Sequence, residues 1–264
     1  MPLAHAILKH ETADLNEIVE RYIAEIHATL QDNLLGIYLR GSLASGDFIP
    51  ASSDIDLLAA TVKRVGPVEF TDLLEMHARI AALPNAYANR VEIAYIEREA
   101  LKQYKPGQTF PTLGQGEELT WSEHPANWLL ERWMVREQGI PLYGPDPRTL
   151  IDPISTAEIR QAIRSLLGYW ETWAQEPDDP DWLLVKGHQA YVIETMCRAL
   201  YALENGELAG KAQAAAWASA ALPEPWRTLV AASQTWRTSK QIDEDNAKVM
   251  LAFVHWTAEQ TIAG

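Results

Sequence analysis

Leu15, Ile18, Val19, Tyr22, Ile23, Ile26 and Leu30 recur at three- and four-residue intervals, which predicts an amphipathic helix over residues 12–31. The pattern then changes. Two short apolar runs, 34–39 and 55–60, read as strands; the first ends in Arg40-Gly41-Ser42, and the second follows the turn-rich stretch 49–53. Helical spacing resumes over 68–83 (Phe70, Leu73, Leu74, Met76, Ile80). Pro84-Asn85 interrupts it, and 90–96 predicts a third strand. Residues 104–127, dense in Gly, Pro and polar side chains, predict a long loop and the place of substrate contacts.

From Trp128 onward strand signals nearly vanish. Ser155-Thr156-Ala157-Glu158 has the form of a capping box opening a helix through Ile159, Ile163, Leu166, Leu167, Trp170 and Trp173. Further helices are expected over 183–204 (closed by Gly206), 210–221 (closed by Pro223), 224–238 and 243–262. The predicted fold class is α+β: an N-terminal domain, 1–150, with a small mixed sheet and flanking helices, then an all-α helix-bundle domain, 151–264.

Composition narrows the function. A length of 264 residues exceeds the common size of one domain, and 47% hydrophobic with 22% charged residues is ordinary globular composition. The formal charge of −14 argues against a general nucleic-acid binder, because such proteins take most of their affinity from Lys and Arg on phosphates. The single cysteine, Cys197, lies in an apolar helical run and reads as core packing. No window approaches the ~20 apolar residues of a membrane span, and the N-terminus has no leader pattern, so a cytoplasmic protein is expected. Among ten tryptophans, Trp170, Trp173, Trp217 and Trp256 occupy positions expected to be helical core.

Candidate chemistry concentrates in three places. Asp54 and Asp56 are two apart on a predicted strand, so their carboxylates share a face while Ile55 and Leu57 pack behind. Carboxylates held together repel, and Mg²⁺, which prefers hard oxygen ligands beside substrate phosphates, is the natural neutralising partner. Gly41 and Ser42, at a strand end, offer close backbone approach, amide donors and a hydroxyl for a phosphate. Glu92, flanked by apolar Val91 and Ile93 on the third strand, is the candidate general base or third metal ligand.

Gly41-Ser42, Asp54-Ile55-Asp56 and Glu92 together resemble the motif of the polymerase-beta-like nucleotidyltransferases. Over most of the chain the sequence is more closely similar to the streptomycin and spectinomycin adenylyltransferases: residues 41–58 resemble their glycine-serine loop, 91–96 their base-bearing strand, and 196–218 their C-terminal helix pair. The resemblance implies that Asp54 and Asp56 hold two Mg²⁺ and that Glu92 is the base. It also implies that Arg198 and Lys211 face ATP, that the helical domain completes the nucleotide and substrate cleft, and that a drug hydroxyl attacks the α-phosphate with loss of pyrophosphate. Two positions depart from the family. Its Gly-Glu-Trp-Leu-Arg segment has only Trp121 and Trp128 as loose counterparts, and a tyrosine near the phosphates is replaced in the region of Trp236-Arg237.

The expected function is therefore Mg-dependent transfer of AMP from ATP to a hydroxyl of an aminoglycoside or aminocyclitol, by a monomer with no nucleic-acid or membrane partner. Asp178, Asp179 and Asp181 are loop acids suited to ammonium groups, and His188 is a candidate lining residue. The alternatives are a nucleotidyltransferase using another hydroxyl, on a protein or a different small molecule, and a catalytically silent nucleotide-binding module.

Overall fold

A computed structural model describes residues 12–260. They form two compact units, 12–49 with 53–153, and 154–260 with 50–52.

The first unit opens with α1 (Ala13–Leu30), whose N-terminus is capped by Thr12 Oγ1 accepting from the Leu15 amide at 3.4 Å. Strand β1 (Leu34–Leu39) leads into a short helix, α2 (Gly41–Ser45), and β2 (Ile55–Thr61) follows. Helix α3 (Pro67–Ala81) crosses over to β3 (Val91–Glu97), which makes β2 and β3 the parallel pair of the sheet. After α4 (Arg98–Lys102) come β4 (Thr109–Leu113), β5 (Thr120–Glu123), α5 (Trp128–Gln138) and β6 (Ile140–Tyr143). The six strands run in the order β5-β4-β3-β2-β1-β6, antiparallel apart from β2–β3.

The apolar stripe of α1 packs with Leu73, Met76 and Ile80 of α3 over Ile37, Leu39, Leu57, Ile93 and Tyr95 of the sheet. β2 and β3 are buried nearly throughout, as the interior strands of a covered sheet must be. Asp56 and Glu92 are only half-buried, one residue into each strand.

Two expectations are corrected here. The long loop at 104–127 contains β4 and β5: Thr109–Glu123, Phe110–Ser122, Pro111–Trp121 and Thr112–Thr120 pair in register. Its Gly, Pro and polar residues satisfy strand geometry through partners that local composition does not show. Likewise β6, four residues long and too short to display a period, pairs with the outer side of β1.

The second unit is helical. Ser155 and Glu158 close the expected capping box of α6 (Thr156–Gln175): Ser155 Oγ accepts from the Glu158 amide at 3.3 Å, and Glu158 Oε2 accepts from the Ser155 amide at 2.8 Å. A short α7 (Pro180–Leu184), capped by Asp179, precedes α8 (Lys186–Asn205), then α9 (Lys211–Ala221), α10 (Trp226–Ser233) and α11 (Glu244–Glu259). Helix α8 is central, with α6, α9, α10 and α11 packed on it through Val192, Ile193, Met196, Leu200 and the fully buried Cys197. Gly206, at φ +73°, ends α8 in the left-handed region where a side chain is disfavoured. The predicted 224–238 helix is shorter than expected, because the chain turns after Ser233. Residues 261 and 262 of the last predicted helix lie outside the described residues. Only Trp170 of the four expected core tryptophans is buried; Trp173, Trp217 and Trp256 are half-buried. Among the described residues, no helix is long and apolar enough to cross a membrane.

Candidate active site

Parallel pairing sets Asp56 directly opposite Glu92, and Asp54 immediately precedes β2. One carboxylate oxygen from each of Asp54, Asp56 and Glu92 lies within 4.8 Å of the others. The loop before β2 is tied to the start of β3, since the Ile55 amide donates to Arg90 O at 2.8 Å and the Arg90 guanidinium donates to Ser53 O. Burial, reinforced by the charges of Asp56 and Asp54, pushes the Glu92 carboxyl up to about 7. A carboxylate with that proton affinity is suited to taking a proton at neutral pH.

Gly41 sits against this cluster. Its φ is +64°, and a Cβ built there would fall 1.9 Å from Asp56 Oδ2, so only glycine fits both the backbone and the neighbour. Ser42 lies in the first turn of α2, but the N-cap is Arg40, and Ser42 Oγ is buried without a hydrogen-bond partner among the described residues. An orphaned buried hydroxyl one residue on from Gly41 fits an incoming polar group.

Two charged residues outside the expected set complete the cluster. Arg40, 7% exposed, places Nη1 3.3 Å from Asp56 Oδ1 and 2.5 Å from Glu131 Oε2 on α5. The sequence signal was a cation directly before Gly41-Ser42, at the end of an apolar strand; Glu131 gave none.

Arg198 and Lys211 belong to the second unit. Arg198 Nε donates to Ala209 O at 3.2 Å, and Lys211, the first residue of α9, places Nζ 5.3 Å above the Tyr191 ring. Between them lies Glu194, 2% exposed, whose carboxylate accepts from Arg237 Nε. Burial raises the Glu194 carboxyl above its usual range, and Arg237, Lys211 and Arg198 oppose that rise. Three cations thus surround a single buried carboxylate.

Residues 149–260 match the family described as aminoglycoside adenylyltransferase, C-terminal domain. The chain is 24% identical to an aminoglycoside (3'') (9) adenylyltransferase of Shigella flexneri, with 96% of each chain covered. This chain is of the aminoglycoside adenylyltransferase type. It is also 27% identical to a spectinomycin 9-adenylyltransferase of Campylobacter jejuni, covering 80% of this chain and 81% of that one. The crystal structure of the spectinomycin adenyltransferase AAD(9) from Enterococcus faecialis with ATP and spectinomycin shares the fold: TM-score 0.73 at 15% identity, over 92% of this chain and 98% of that one.

Most of the residues proposed from sequence to meet the acceptor have partners of their own. Trp121 is on the outer strand β5, 38% exposed, stacked on Phe70 at 5.5 Å with the Arg64 guanidinium 4.5 Å from its ring. Trp128 opens α5, stacks on His124, and lies 5.7 Å from the Arg40 guanidinium. In the helical unit Asp178 accepts from Trp173 Nε1 at 3.1 Å and Asp179 caps α7, while Asp181 is exposed. His188 stacks on Trp182 at 4.5 Å, and its Nδ1 lies 2.8 Å from Trp182 O. Trp170, Trp173, Trp182 and Tyr191 form one aromatic cluster.

Proposed function

We propose that this chain transfers AMP from ATP to a hydroxyl of an aminocyclitol or aminoglycoside antibiotic of the streptomycin or spectinomycin kind. The observation that carries the reading is the convergence of Asp54, Asp56 and Glu92 beside the Gly41-Ser42 turn, in a chain whose curated relatives are named for that activity.

Three hard oxygen donors within 4.8 Å, with the Glu92 carboxyl raised by burial and by the charges of Asp56 and Asp54, fit a divalent cation. Asp54, Asp56 and Glu92 would hold Mg²⁺, which when bound neutralises charge on the phosphate oxygens. Glu92 takes the proton of the acceptor hydroxyl. The acceptor oxygen bonds to the α-phosphorus of ATP, the bond to the bridging oxygen breaks, and pyrophosphate leaves. Close backbone approach at Gly41 and the Ser42 hydroxyl serve the phosphates.

Arg198 and Lys211 contribute to triphosphate binding. The gathering of Arg198, Lys211 and Arg237 around Glu194 supports this, as does a lysine at the first position of α9, where the helix dipole disfavours a cation unless an anion joins it. The Trp170–Trp173–Trp182–Tyr191 cluster with Asp178, Asp179 and Asp181 is suited to a cationic acceptor through ring faces and carboxylates. The reading is of a cytoplasmic monomer without a nucleic-acid partner, and the charge of −14 lends support to the last of these.

Incubation with Mg²⁺, labelled ATP and a panel containing spectinomycin, streptomycin and other aminoglycosides tests the reading. Stoichiometric adenylylated drug and pyrophosphate are expected. ATP binding with no transfer to any panel member would favour another hydroxyl acceptor, and no nucleotide binding at all would remove the enzyme reading.

A further inference from the structure

Arg40 sets a cation against the carboxylate cluster, and its position is closely constrained. Its amide donates to Asp56 O at 2.9 Å, which fixes its backbone at the end of β1 against β2. The side chain is 8% exposed and spans two carboxylates, Asp56 Oδ1 at 3.3 Å and Glu131 Oε2 at 2.5 Å. The Trp128 ring lies 5.7 Å from its guanidinium carbon. The Asp56 carboxylate is consequently gripped from two directions, Oδ1 by Arg40 and Oδ2 against the Cα of Gly41, where no Cβ has room.

We propose that Arg40 is a positioning residue and a built-in counter-cation, which holds the Asp56 carboxylate in place beside Asp54 and Glu92 and sets how tightly the cluster takes a divalent ion. This rests on the metal-site reading given above. The reason is electrostatic. Arg40 lies closer to Asp56 than the three carboxylates need lie to one another, so it supplies much of the attraction that keeps them together without a metal. A divalent ion entering the cluster must share Asp56 with a permanent positive charge and is repelled by it. Glu131 moderates this by drawing the guanidinium toward α5. A planar guanidinium can bridge two carboxylates; an ammonium, a point charge, cannot do so with the same fixed geometry.

The charge and the bridging geometry are separable. Arg40→Met removes both: the metal-free protein should melt at a lower temperature, its Mn²⁺ affinity should rise at least about tenfold, and kcat should fall because Asp56 is no longer oriented. Arg40→Lys keeps the charge: Mn²⁺ affinity should stay within about threefold of the unaltered chain while kcat falls. Glu131→Gln leaves Arg40 wholly to Asp56 and should weaken Mn²⁺ binding by about three- to tenfold; it keeps the inference testable if Arg40→Met does not fold. The measurement is calorimetric titration of the full-length chain and each variant with Mn²⁺ alone, in parallel with melting curves with and without the metal. Equal loss of melting temperature in the metal-free and Mn²⁺-loaded forms, with unchanged affinity, would reduce Arg40 to a packing role and overturn the inference. Weaker Mn²⁺ binding by Arg40→Met would overturn it as well. If the unaltered chain binds no Mn²⁺, the metal-site reading fails and takes this inference with it; binding that Arg40 and Glu131 do not affect removes this inference alone.

Discussion

The proposed mechanism gives the Glu92 carboxylate two roles, base and metal ligand, and substitution separates them. Glu92→Gln is expected to keep Mg·ATP affinity within a few-fold and to lower kcat by about 10² to 10⁴. Nucleotide affinity lost in proportion to kcat would make Glu92 chiefly a ligand, and a near-normal rate would exclude it as the base. Its proton affinity also predicts a pH effect on the metal-free protein. The folded-state pKa, about 7, is above the ordinary 4.5, so between those values the folded chain binds more protons than the unfolded one. This contribution is present below pH 4.5 and is lost as pH rises through 7; Glu92→Gln should flatten that part of a melting-temperature profile. The two aspartates are expected to differ. Changing either to Asn relieves repulsion within the cluster, but Asp56→Asn also removes the carboxylate 3.3 Å from Arg40 Nη1 and should lower the metal-free melting temperature more than Asp54→Asn does. Both should abolish transfer; full activity in either would contradict the metal-site reading.

Between elements, the packing of α3 on the sheet carries its own titration. His77 of α3 is 3% exposed, with Nε2 2.8 Å from the Tyr95 hydroxyl on β3. Burial lowers its pKa to about 3. The unfolded chain therefore binds the extra proton from about pH 6.5 downward while the folded chain does not, and this contribution, present above 6.5, is lost as pH falls toward 3. Melting temperatures measured between pH 7 and 4 should decline, and His77→Gln, which keeps a partner for Tyr95, should decline less steeply. Equal slopes would mean that another group carries the acid sensitivity. Because Glu92 and His77 act in opposite directions, the two variants should change the profile with opposite sign.

For the whole chain, binding and stability are linked. If the carboxylates take Mg²⁺ and Arg198 and Lys211 serve the triphosphate, Mg·ATP at a hundredfold its Kd should stabilise the protein by about 2.7 kcal/mol, visible as a raised melting temperature. Arg198→Ala and Lys211→Ala should each weaken ATP by about ten- to a hundredfold, as loss of a hydrogen bond to a charged group does, while leaving Mn²⁺ binding by the carboxylates intact. An unchanged ATP affinity in both variants would remove the helical unit from the nucleotide reading.

The sequence by itself determined the elements whose hydrophobic period is long or whose ends are chemically marked. The stripe of α1, the strands β1 to β3, the Ser155–Glu158 box and the Gly206 stop are all properties of neighbouring residues. It also determined the chemical types at the site, because the spacing of Asp54 and Asp56 on a strand already implies a shared face. Tertiary structure decided the remainder. β4, β5 and β6 exist because partner strands satisfy backbone groups that their own Gly- and Pro-rich or four-residue segments could not. The register that brings Glu92 opposite Asp56 required the α3 crossover. The pairing of Arg40 with Asp56 and Glu131 joins residues up to 91 positions apart, and no local pattern of charge or hydrophobicity records such a contact.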